Sequence, residues 1–182
     1  MNPVKALETH GQAVWLDFLA RGFVAKGELK KLIDTDGVKG VTSNPSIFEK
    51  AIGSSDEYDG AIGSALKKGD RSVAALFEHV AVEDIQHAAD VLRPVYDEFK
   101  GNDGFVSLEV SPYLAMDTTG TIAEALRLCR LHRATLIIAK LDRLTRSVAD
   151  LAELLKRFEK RGVSLVSVVD SLDTRRDRKS VV

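Results

Sequence analysis

One cysteine, Cys129, occurs in 182 residues, which excludes an internal disulfide and any metal cage built from cysteines. Its place in a helical stretch predicts a packed or half-exposed thiol. No apolar run approaches the length of a membrane span, and Met1-Asn2-Pro3-Val4-Lys5 lacks the basic start and apolar stretch of a signal peptide. A soluble, cytoplasmic protein is therefore expected. No glycine-rich phosphate loop is present, and His10, His79, His87 and His132 show no spacing that would converge on a metal. No metal site is read from these residues.

What is there is an ordinary globular composition, 45% hydrophobic and 29% charged, in a chain long enough to bury one sizeable core. The net charge of −1 conceals an asymmetry. Residues 1–128 hold 13 Lys and Arg against 20 Asp and Glu, whereas residues 129–182 hold 13 against 7. The acidic front argues against a nucleic-acid surface there; the basic back permits a weak DNA contact through 129–182.

Apolar patterning predicts strands over Ala13–Phe18, Val38–Thr42, Phe105–Val110, Thr135–Ala139 and Val163–Val169. Helices are expected over Gly27–Ile33, from Ile47, over Val82–Phe99, Thr121–Leu131 and Val148–Lys160. Pro45 forces Asn44 out of helical geometry, and Ser46 is the expected cap of the helix starting at Ile47. Trp15 reads as a core residue. Alternating strands and helices with buried apolar strands imply an α/β fold, a parallel sheet of about five strands with flanking helices. Five strands make a partial barrel, not a complete eight-stranded one, so open strand edges and self-association are expected. The stretch from Leu172 onward has no apolar period, and 175–182 in particular reads as a disordered tail.

The chemistry-bearing motifs lie at the ends of these strands. Gly40-Val41-Thr42-Ser43-Asn44-Pro45-Ser46-Ile47-Phe48 resembles the signature of the transaldolase family at the end of the second barrel strand. Val14-Trp15-Leu16-Asp17 is similar to that family's first strand, and Ser107-Leu108-Glu109-Val110-Ser111-Pro112, with Asp117-Thr118-Thr119-Gly120-Thr121, to its third. The resemblance covers residues 1–128. It implies a transferase that moves a dihydroxyacetone unit between sugar phosphates through a lysine Schiff base, needing neither metal nor cofactor, with Asp17, Asn44 and Glu109 catalytic and Thr42, Ser43 and Ser111 contacting substrate. Physically, polar residues at the C-terminal ends of parallel strands project into the mouth of a barrel. Two carboxylates and an amide suit an aldol reaction, in which protons move on and off a hydroxyl and an imine must be oriented.

The family's lysine motif is absent, yet Thr135-Leu136-Ile137-Ile138-Ala139-Lys140 is an apolar strand ending in lysine, about where the imine-forming residue should fall. The same stretch belongs to a second pattern. Leu136 through Ser147, with the helix and strand that follow, resembles the middle of a serine recombinase catalytic domain over 129–174, continuing the sheet. By that likeness Arg143 and Arg146 would stabilise phosphate, with Asp142 orienting them, a role planar guanidinium donors suit. That family's nucleophilic serine motif is missing. Three readings stand together: a transaldolase-like enzyme, weakened or inactive; a recombinase fragment with phosphate affinity; and a non-catalytic chimera.

Overall fold

The computed structural model describes residues 2–69, 72–145 and 147–175. The chain divides into two compact units, Met1–Glu109 and Val110–Val182.

In the first unit a short helix α1 (Pro3–Ala6) precedes strand β1 (Val14–Leu16), helices α2 (Arg21–Ala25) and α3 (Glu28–Asp36), and strand β2 (Val38–Val41). Helices α4 (Pro45–Gly53), α5 (Asp59–Lys68) and α6 (Val73–Glu98) follow, and then strand β3 (Phe105–Val106). The three strands form one parallel sheet in the order β1-β2-β3, with Trp15 opposite Gly40 and Gly40 opposite Phe105. Strand and helix alternate, so each parallel pair is joined by a helical crossover.

Core positions on α6 recur at helical spacing: Val80, Ala81, Asp84, Ala88, Leu92 and Val95 are buried. Leu19, Leu29, Val41 and Phe48 close the same cluster. Gly40 is glycine for a steric reason. A Cβ there would lie 2.4 Å from the Trp15 ring, which occupies that surface of the sheet. Trp15 itself is half-buried rather than fully core, with its indole N–H donating to Asp103 at 3.3 Å.

In the second unit a 3-10 turn at Pro112–Leu114 leads into α7 (Thr118–His132), β4 (Thr135–Ile138), a second turn at Leu141–Arg143, α8 (Val148–Arg161), β5 (Ser164–Ser167) and β6 (Leu172–Asp173). Strands β4 and β5 pair in parallel, and β6 runs antiparallel beside β5. Cys129, Phe158, Val163 and Leu165 form the core. Asp117 and Ser147 cap α7 and α8 through side-chain oxygens, and Gly162 ends α8 at φ 67°.

The α/β class with an unclosed parallel sheet is as expected, and all five anticipated strands form. The described strands do not run on as one sheet, however; they fall into two sheets of three. Helix α6 begins nine residues before the expected Val82, because Ser72 accepts a bond from Ala75 N and supplies the cap. Helix α4 begins at Pro45, not Ile47, and its cap is Asn44 rather than Ser46: the Asn44 side chain accepts from Ile47 N at 3.1 Å, with proline at the first helical position. Leu172–Asp173, anticipated as disordered, is a strand, held where Thr174 Oγ1 accepts from Leu165 N at 2.9 Å. Residues 176–182 of the anticipated tail lie outside the described residues. Leu128 and Cys129, where the sequence was expected to pass from one family likeness to another, lie inside α7 and are both buried.

Candidate active site

The ends of β1 and β2 are tied together by one side-chain pair. Thr42 N donates to Leu16 O at 2.9 Å, which carries the strand pairing one residue past β2, and the Thr42 hydroxyl then reaches Asp17 Oδ1 at 2.6 Å. Asp17 is exposed, immediately after β1. Ser43 is buried and turns the other way, donating to the backbone oxygen of Ser107 at 2.6 Å, while Ser107 N donates to Val41 O. Ser43 therefore ties β2 to the segment leaving β3 and is a strand tether here.

Asn44 keeps the extended backbone, φ −132°, that the following proline demands, and its Oδ1 is engaged in the α4 cap. Glu109 is exposed, three residues beyond Val106. Asp17, Asn44 and Glu109 thus follow the C-terminal ends of three adjacent parallel strands of one sheet. This is where barrel folds gather chemistry.

Ser111, Lys140, Asp142 and Arg143 belong to the second unit, and Arg146 lies outside the described residues. Lys140 follows β4 in extended conformation, with Nζ 3.3 Å from Asp142 Oδ2; each side chain is 51% exposed. The lysine is thus exposed and paired with a carboxylate, rather than in dry surroundings. Asp170, after β5, accepts from Ser167 Oγ at 2.6 Å and Leu141 N at 2.7 Å. Those two bonds, with Lys140 nearby, hold its carboxyl below the usual carboxylate range.

A further group was not foreseen from the sequence. Arg21, Tyr58 and Asp84 form a buried network behind the β1 loop: Arg21 Nε donates to Asp84 Oδ1 at 2.8 Å, and Tyr58 OH to Asp84 Oδ2 at 2.8 Å. Asp84 and Tyr58 are each 1% exposed. Burial pushes the Tyr58 phenol up to about 12, and the same burial raises the Asp84 carboxyl despite the bonds it accepts from Tyr58 and Arg21. These residues stand 26 to 63 positions apart, so no local periodicity could link them.

With this geometry in place, comparison with known proteins is decisive for class. Residues 14–164 match the family described as Transaldolase/Fructose-6-phosphate aldolase, and the chain belongs to that family. It is 44% identical over 126 residues to a transaldolase of Trichodesmium erythraeum (strain IMS101), covering 69% of this chain and 33% of that protein. Over 128 residues it is 45% identical to a transaldolase of Thiobacillus denitrificans (strain ATCC 25259 / T1), covering 70% and 35%. A transaldolase of Mycobacterium leprae (strain Br4923) shares 46% over 131 residues, covering 71% and 35%. The chain spans about a third of the length of these relatives. The family match runs through β4 and α8 to the start of β5, so up to residue 164 the stretch expected to be a serine recombinase fragment falls within the transaldolase match instead.

No helix among the described residues is long and apolar enough to cross a membrane.

Proposed function

We propose that this chain carries transaldolase-type chemistry, transfer of a dihydroxyacetone unit between sugar phosphates through a Schiff base at Lys140. The observation that carries the reading is the placement of Asp17, Asn44 and Glu109 after three adjacent parallel strands, within the family's motif. In this reading residues 1–128 supply the βα units of the acid–base groups, and Lys140, after β4, is the amine. Glu109 and Asp17 move protons, Asn44 orients the imine, and Thr42 and Ser111 meet substrate hydroxyls. Ser43 acts by holding Ser107 rather than by touching substrate.

Turnover should be weak. The described strands close no barrel, and Lys140 Nζ lies 3.3 Å from Asp142 Oδ2, a contact that must part before the nitrogen can reach a carbonyl. Incubation with fructose 6-phosphate and sodium borohydride, followed by mass-spectrometric mapping, tests the reading. A reduced adduct on Lys140, absent from Lys140→Ala, supports it. No adduct, or equal scattered labelling of both proteins, refutes it.

The basic balance of residues 129–182 favours one second reading, phosphate affinity through Arg143 and Arg146 with Asp142 orienting them, as in a recombinase fragment. Salt-sensitive DNA binding would be its signature. The transaldolase match over the same residues is why we prefer the first. Self-association through unpaired strand edges fits either reading, and a monomeric mass by light scattering would count against it.

A further inference from the structure

The loop Asp17–Ala20 is fixed at both ends. At its start, Leu16 O accepts from Thr42 N and Asp17 accepts from the Thr42 hydroxyl. At its end, α2 begins at Arg21 with Ala20 as a cap residue whose side chain bonds nothing. The free N–H groups of that first turn are satisfied from elsewhere: Arg21 N donates to Tyr58 OH at 3.2 Å, and Gly22 N to Glu57 Oε2 at 2.9 Å. The turn at Asp56–Tyr58 therefore caps a helix some 35 positions earlier in the chain.

Tyr58 passes the constraint on to α6. Its hydroxyl accepts from Arg21 N and donates to Asp84, while the Arg21 guanidinium lies 4.8 Å above the Tyr58 ring and bonds Asp84 and Glu83. Backbone and side chain of one residue are thus both gripped. Simple core stability does not call for such a group, since a buried ion pair is often replaceable by apolar side chains at no loss. What directional bonds supply and apolar packing does not is a single orientation.

We propose that Tyr58 and Asp84, acting through Arg21, are positioning residues that set the orientation of the Asp17 loop. Asp17 is thereby presented beside Thr42 in one arrangement, and Leu19, wholly buried between the two anchors, seats the loop's apolar side. The importance of that orientation for catalysis rests on the transaldolase reading. The orientation itself does not.

Hydrogen exchange of the whole chain, read on peptides covering 17–22 and 38–48, separates the two. In Tyr58→Phe, exchange of 17–22 should quicken about fivefold to tenfold with 38–48 unchanged, as loss of one local bond predicts. Glu83→Gln, altering only the outer contact of Arg21, should leave both peptides as they are. If Tyr58→Phe fails to fold, Arg21→Lys serves instead, since it keeps the charge and the backbone bond but loses the Nε bond to Asp84. Unchanged exchange at 17–22, or an equal rise in both peptides, overturns the proposal. Borohydride trapping adds the catalytic arm. The maximal trapping rate should fall about tenfold, while the half-saturating fructose 6-phosphate concentration stays within about twofold. A wild-type chain that traps nothing would sink the transaldolase reading, yet the exchange data would still decide the positioning role.

Discussion

Thr42 donates its hydroxyl to the Asp17 carboxylate at 2.6 Å, joining residues 25 positions apart at the ends of two paired strands. The bond is exposed, so its net worth to folding is about 1 kcal/mol or less. Under the proposed function its worth is orientation of the carboxylate. Thr42→Val should therefore leave the urea midpoint nearly unchanged while slowing imine trapping by on the order of tenfold. A variant that trapped at the wild-type rate would show that Asp17 needs no such restraint.

Gly40 and Trp15 make a second local pair, opposed across β1 and β2. A methyl group at Gly40 would meet the indole at 2.4 Å, and the ring is hemmed by Phe105 at 6.5 Å between centroids. Gly40→Ala should cost about 1–3 kcal/mol by overpacking. Trp15 is the sole tryptophan, so its fluorescence reports both the displaced ring and the shifted denaturant midpoint. An unshifted midpoint would mean that the sheet yields without strain.

Tyr58 supplies an alkaline signature. Its folded-state pKa is raised from 10.0 to about 12, first by burial, so the neutral phenol belongs to the folded state. The associated stability is fully present below pH 10 and is lost as pH rises toward 12, because the unfolded chain ionises first. Wild-type protein should lose thermal stability across that window, and Tyr58→Phe should lose less. Identical alkaline profiles would place the titration elsewhere.

How far the sequence anticipates this molecule depends on the range of the interactions. All five expected strands form because each is a short apolar run bounded by turn residues, a signal carried locally. Asn44 shows the limit of local reading: Pro45 dictated its extended backbone, yet the cap was placed two residues late, since proline at the first helical position was not recognised. Strand β6 escaped notice because two residues and one threonine side chain hold it, too few for a pattern. The separation into two sheets and the Arg21–Asp84 contact, 63 positions apart, are matters of tertiary placement. For the site, motif reading put Asp17, Asn44 and Glu109 after adjacent strands. It did not foresee that Ser43 would be consumed as a tether or that Lys140 would pair with Asp142.

At the C-terminus of α7, Arg133 holds φ 54°, a left-handed conformation that a side chain resists and glycine tolerates. Arg133→Gly should raise stability by up to about 1 kcal/mol, partly offset by the greater freedom of glycine in the unfolded chain. Thermal melting of the two proteins decides it, and a lowered midpoint would mean that the arginine side chain contributes more than its backbone strain costs.

Asp170 should contribute acid sensitivity to the second unit. Ser167 Oγ first, then Leu141 N and the charge of Lys140, hold its folded-state pKa below the model-peptide value of 3.8. A depressed carboxylate contributes stability above its unfolded pKa and loses it as pH falls through the folded one, because the unfolded chain takes up the proton first. Ser167→Ala removes the largest of these influences, so the Asp170 carboxyl should titrate at higher pH, which a carbon-detected NMR titration of the side chain would read. The same variant should loosen the Leu141 end of the strand that carries Lys140, since one carboxylate oxygen serves both bonds. Were the Asp170 midpoint to stay put in Ser167→Ala, the Leu141 amide would be holding the carboxylate alone, and the hydroxyl would have no part in fixing the lysine-bearing turn.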